Sequence, residues 1–165
     1  RKIKFGKLSK GQKIKAQFAF ALSTDPKYLI LDEPTANFDP DFKQDFLNVI
    51  MQFMESGKKS VIIASHILDE LDRIVDYLIY LDKGELVYSG DIESFRDKYR
   101  ILSGESYKVK LLKQEDIIHA EDRKYGTKAL VVNHGYSKYD GALTVTVPTL
   151  EEFMYHYSKR GESVI

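Results

Sequence analysis

Tyr28-Leu29-Ile30-Leu31 is an unbroken apolar run stopped at once by Asp32-Glu33-Pro34. A strand that is apolar all round wants cover on both faces, which is the situation of a parallel sheet between helices. A second run, Val61-Ile62-Ile63-Ala64, follows thirty residues later. The stretch between them reads as a helix. It opens with Asp39-Pro40, a cap and then proline at the first helical position. It carries Phe42, Phe46, Val49, Ile50 and Phe53 at helical spacing and closes at Gly57. Strand, helix, strand predicts an α/β domain whose loops gather at the strands' C-terminal ends.

Local signals extend this plan. Ser9 with Gln12 is a capping box opening a helix that runs to about Leu22, and Asp25-Pro26 breaks the chain. The spacing predicts a helix over Ile67–Val75. Tyr77–Leu81 and Glu85–Ser89 around Asp82-Lys83-Gly84 read as a hairpin, and Asp91 caps a helix to about Tyr99. Composition changes near Ser103-Gly104-Glu105-Ser106. Beyond it Tyr107–Leu112, Lys128–Val132 and Leu143–Val147 read as strands. Pro148-Thr149 with Glu152 is a second capping box, opening a helix whose face is Leu150, Phe153, Met154 and Tyr157. The expected organisation is residues 1–100 as one domain and 104–165 as a small α+β accessory domain.

Charge and composition exclude several classes. Lys+Arg and Asp+Glu are 25 each, against the basic excess that binding nucleic acid by counterion release calls for. With no cysteine, disulfides, thiolate metal sites and a Cys nucleophile are ruled out. No apolar run nears the roughly 20 residues that span a bilayer, and a cytoplasmic setting is expected. Arg1, Lys2, Lys4, Lys7, Lys10, Lys13 and Lys15 all precede the first acid, Asp25. They form either a solvated helix face or an anion-facing patch.

Three places can carry chemistry. Asp32 and Glu33 end a buried strand, where one carboxylate can hold Mg²⁺ through water and the other can face an attacking water as general base; solvated acids at a sheet edge would look the same. Ser65-His66 follows the second strand, where a His can donate to a phosphate oxygen or simply pack in the loop. Leu8-Ser9-Lys10-Gly11-Gln12 offers a hydroxyl, a glycine N–H and a helix N-terminus to an anion, or is an ordinary capped helix. His119, His134 and His156 show no metal-ligand spacing and are expected to be structural or on the surface.

Order and spacing join these signals. Leu8-Ser9-Lys10-Gly11-Gln12 resembles the signature motif of ABC ATPases. Tyr28–Pro34 resembles their Walker B strand with its catalytic Glu, Ala36-Asn37-Phe38-Asp39 is similar to their D-loop, and Ser65-His66 to their switch histidine. The likeness covers about residues 3–95. It implies the C-terminal part of a RecA-like P-loop NTPase cassette, with two cassettes head to tail and ATP between them. On that resemblance Ser9, Lys10, Gly11 and Gln12 face the ATP bound on the partner cassette, and Asp39 speaks across the interface. Asp32 holds Mg²⁺, Glu33 polarises the attacking water and His66 contacts the γ-phosphate. A second ATPase subunit and a transmembrane permease are the implied partners, nucleic acid is not one, and the implied place is the inner face of the cell membrane.

There are departures. Lys10 stands where the signature most often has Gly. No G-x-x-x-x-G-K-[ST] phosphate loop is present: Gly57-Lys58-Lys59-Ser60 fails, with Gln52 at the first Gly position and Lys59 in place of Ser/Thr. The expectation is that the phosphate-gripping half lies elsewhere and that this chain is inactive alone. The segment Pro148–Phe153 resembles, more loosely, the tails of bacterial bacitracin and lantibiotic exporter cassettes. Alternatives are a soluble ABC ATPase acting in translation or chromosome maintenance, or a catalytically silent regulatory or dimerising module.

Overall fold

A computed structural model describes residues 4–36, 38–68, 71–135 and 141–162. Asn37 of the D-loop-like segment, Arg1 and Lys2 of the basic run, and two positions of the helix expected over 67–75 lie outside the described residues. The chain forms two compact units, Arg1–Ile74 and Val75–Ile165.

The first unit is α/β. Helix α1 (Lys10–Ser23) starts at the expected capping box and α2 (Pro40–Met54) at Asp39-Pro40. Strands β1 (Tyr28–Asp32) and β2 (Ser60–Ala64) pair in parallel, from Tyr28 with Ser60 to Asp32 with Ala64. Helix α2 is the crossover and packs on β2, burying Phe46, Leu47 and Ile50. Phe18 of α1 meets Phe46 with ring centroids 5.0 Å apart, so an aromatic contact joins the two helices. Burial of β1 and β2 on both faces is not what the structure shows. Leu29 is buried, yet Tyr28 is 71%, Ile30 74% and Ile62 59% exposed. Those three share one face by the strand period of two. Among the described residues of this unit, only the α2 side of the sheet is covered. The helix expected over Ile67–Val75 is also absent as such, since only Leu71–Arg73 forms a 3-10 turn among the described residues.

The second unit is α+β. Strands β3 (Tyr77–Asp82) and β4 (Glu85–Asp91) make the expected antiparallel hairpin. Lys83 and Gly84 both take positive φ, 49° and 82°, as a two-residue hairpin turn matched to strand twist requires. Helix α3 (Ile92–Lys98) is capped by the Asp91 carboxylate. The chain then runs straight into β5 (Tyr99–Gly104), helix α4 (Ser106–Lys110), β6 (Ile117–Arg123), β7 (Gly126–Val132), β8 (Thr144–Thr146) and helix α5 (Leu150–Ser158). The last four strands form one antiparallel sheet in the order β6-β7-β5-β8. The strand expected over Tyr107–Leu112 is instead α4 and its end. Val109 and Leu112, three residues apart, are the buried pair there, a helical rather than a strand spacing.

Packing explains why the compact unit begins at Val75 rather than near Gly104. Phe153 of α5 lies 5.4 Å from Tyr80 of β3, 4.9 Å from Phe95 of α3 and 4.7 Å from Tyr99 of β5, ring centroid to centroid. The hairpin and α3 therefore share a core with the C-terminal helix. No helix among the described residues is long and apolar enough to cross a membrane.

Candidate active site

Glu33 is the first residue past β1. Its backbone is turned to φ 44°, a left-handed conformation that costs a non-glycine residue about 1–2 kcal/mol. Pro34 follows and prevents the strand from continuing. The Glu33 N–H donates to the Ala64 carbonyl at 2.8 Å, so the parallel ladder holds the turn in place. That turn delivers the Glu33 carboxylate to the loop leaving β2. Its Oε2 accepts from the Ser65 hydroxyl at 3.1 Å. Its Oε1 accepts from the His66 backbone N–H at 3.2 Å and lies 2.7 Å from His66 Nδ1.

Electrostatics follow from these contacts. The side-chain hydrogen bond from His66 holds the Glu33 carboxyl below its ordinary range, with Ser65 and the His66 N–H adding to it against partial burial. An ionised carboxylate only accepts, so His66 Nδ1 must carry the proton it shares, leaving Nε2 for another partner. Ser65 is fixed in turn, since its Oγ accepts from the Ile67 N–H at 3.0 Å. The group is thus a carboxylate at the open end of a parallel pair, oriented by three donors, with a half-exposed flank. Such an arrangement can hold a water and take a proton from it.

The other expected residues lie at the start of α1, at the start of α2 and at the end of β1. Ser9 and Gln12 close the capping box: Ser9 Oγ accepts from the Gln12 N–H at 3.2 Å, and Gln12 Oε1 from the Ser9 N–H at 3.0 Å. Lys13 N–H bonds to the Ser9 carbonyl. In the first turn this leaves the N–H groups of Lys10 and Gly11 without an intrahelical acceptor. They and the Ser9 hydroxyl proton are the donors this helix end can offer an anion. Asp39 caps α2, accepting from the Phe42 N–H at 2.9 Å, and its other oxygen is 3.7 Å from Lys15 Nζ. The Phe42 N–H first, and the Lys15 charge after it, hold the Asp39 carboxyl low. Lys15 also lies 3.7 Å over the Phe42 ring centroid, tying α1 to α2. In the sequence Lys15 stands out only as part of a basic run; its long-range pairing with Asp39 has no local signal.

Asp32 ends β1 as an exposed carboxylate paired in register with Ala64. No cluster of three or more His, Cys, Asp or Glu able to hold a metal occurs among the described residues. A lone carboxylate fits Mg²⁺, which usually binds through one or two carboxylates with water and substrate phosphates completing its shell.

Residues 1–36 match the ABC transporter family model. Over 82 residues the chain is 43% identical to a Mycoplasma pneumoniae protein named as an ABC transporter ATP-binding protein, covering 50% of this chain and 25% of that one. Over 95 residues it is 40% identical to the energy-coupling factor transporter ATP-binding protein EcfA2 of Caldanaerobacter subterraneus subsp. tengcongensis, covering 57% of this chain and 33% of the relative. Among solved structures, cbiO1 of Clostridium perfringens, part of the ABC transporter complex cbiONQ, superposes with a TM-score of 0.47 at 30% identity, over 55% of this chain and 36% of that one. The chain thus spans a quarter to about a third of the length of these relatives.

Proposed function

We propose that this chain, part of an ABC transporter ATP-binding protein, supplies the water-activating and signature parts of an ATP-hydrolysing site, with Glu33 as the general base. The observation that carries the reading is the Glu33 carboxylate held ionised by His66 and Ser65 at the open end of β1 and β2. In the proposed step, water attacks the γ-phosphorus of ATP, the bond to the ADP oxygen breaks, and Glu33 takes the proton of the attacking water. His66 orients Glu33 by donating from Nδ1, and its contact to the phosphate is made by the doubly protonated imidazolium, which donates from Nε2 as well. Asp32 would hold Mg²⁺, whose charge offsets that of the phosphates. Ser9, Lys10, Gly11 and Gln12 serve the ATP of a second, head-to-tail cassette, and Asp39 lies at that interface. The phosphate loop comes from another part of the complete protein, so the 165-residue chain does not turn over ATP by itself.

A transmembrane permease is the proposed partner, with the subunit on the inner face of the membrane. The loose likeness of Pro148–Phe153 to exporter tails supports an exporter-type parent and an accessory role for the second unit.

A complementation experiment tests the shared site. Complete subunits carrying Ser9→Glu or Glu33→Gln are each assayed alone and then mixed. Each alone is inactive, because both sites of a symmetric dimer are damaged. In the mixed dimer one site keeps both Ser9 and Glu33, and turnover returns. If mixing restores nothing while the mixed dimer forms, the head-to-tail assignment fails.

A further inference from the structure

Two histidines outside this site face each other in the core of the second unit. His119 on β6 and His156 on α5 are 2% and 1% exposed, with their Nδ1 atoms 2.8 Å apart. At that distance one Nδ1 donates and the other accepts a single shared proton, a bond that two neutral imidazoles of opposite tautomer make without placing charge in the core. We propose that His119 and His156 form an acid-labile latch that holds α5 on the sheet.

The charge balance makes the latch sensitive to acid. A first added proton places a charge inside a dry core. A second turns both Nδ1 atoms into donors and abolishes the bond. The neighbouring carboxylates are already engaged. On β6, Glu121 pairs with Arg123 and accepts from the Tyr155 hydroxyl of α5 at 2.8 Å. On α5, Glu152 is bound by Lys128 of β7 and by the Thr149 N–H. Glu121 favours a charged imidazole at both positions, and Glu162 does so at His119. Lys159 opposes it at His119, and Lys128 and Arg123 at His156. Burial pushes both histidines down, and with the charge of His119 brings His156 to about 4.

Unfolded histidines take up protons from about pH 6.5 downward, whereas native His119 is held lower and native His156 takes its proton only at about 4. The latch is therefore fully effective above about pH 6.5 and is lost as the pH falls toward about 4. For one proton the folding equilibrium of this unit falls about tenfold per pH unit, on the order of a hundredfold over the window.

The test uses the whole 165-residue chain. At pH 7.5, ¹⁵N NMR of the histidines should show one protonated and one bare Nδ1 with a nitrogen–nitrogen coupling across the bond. On acidification the coupling should vanish as the α5 amides lose protection relative to their intrinsic exchange rates at each pH. Two bare Nδ1 atoms, or no coupling, would overturn the pairing. The variant His156→Asn keeps a donor and an acceptor near the Nδ1 position but takes no charge. Its unfolding midpoint should lose most of its dependence on pH between 6.5 and 4, and a dependence equal to that of the unmodified chain would overturn the latch.

Discussion

Replacing Phe153 by Ala should unfasten the second unit, and its cost can be worked from the packing. Phe153 is 1% exposed and its ring meets Tyr80, Phe95, Tyr99 and Tyr157 at centroid distances of 4.7–5.4 Å. Large-to-small changes of a buried Phe cost about 3–5 kcal/mol, and the value rises where the cavity cannot collapse. Tyr80, Phe95 and Tyr99 are anchored on three different elements, β3, α3 and β5. None can move into the void without dragging its element, so the upper half of that range is expected, about 4–5 kcal/mol. Urea unfolding followed by tyrosine circular dichroism reads it directly. With a slope of about 2 kcal/mol per molar, the transition of the second unit should move down by about 2 M. A shift below about 0.5 M would refute the idea that one aromatic ring joins hairpin, α3 and α5.

Two further outcomes follow from local geometry. Asp39→Ala removes the cap of α2 and should destabilise the first unit by about 1 kcal/mol, read by equilibrium unfolding, with little added by losing the exposed Lys15 pair. Gly126 has φ 126°, and a Cβ there would lie 2.2 Å from the Gly104 carbonyl oxygen. Gly126→Ala must displace the start of β7 from the end of β5 and should cost about 2–5 kcal/mol in the thermal unfolding of the second unit.

What could be read from the sequence was what is decided locally. Both capping boxes, Pro40 at the start of α2 and the Lys83-Gly84 turn each depend on a handful of neighbouring residues, and all four appear as expected. Strands set by distant partners were harder. Tyr99–Gly104 follows α3 without a break, and Ile117–Arg123 ends in charges, so neither shows clean alternation; both become strands by pairing with β7. Likewise Glu33 and His66 were legible as separate motifs. Their contact across 33 residues depends on the parallel register of β1 and β2. The His119–His156 pair spans 37 residues and neither histidine carries a local mark of its partner.

The role of the Glu33 carboxylate is decided by ATP turnover and ATP binding in the complete subunit carrying Glu33→Gln. Gln keeps the size and hydrogen-bonding reach of the side chain and removes its basicity. Turnover should fall by about 10²–10⁴, the usual contribution of a positioned general base, with ATP still bound. Turnover undiminished in a folded, ATP-binding variant would contradict it.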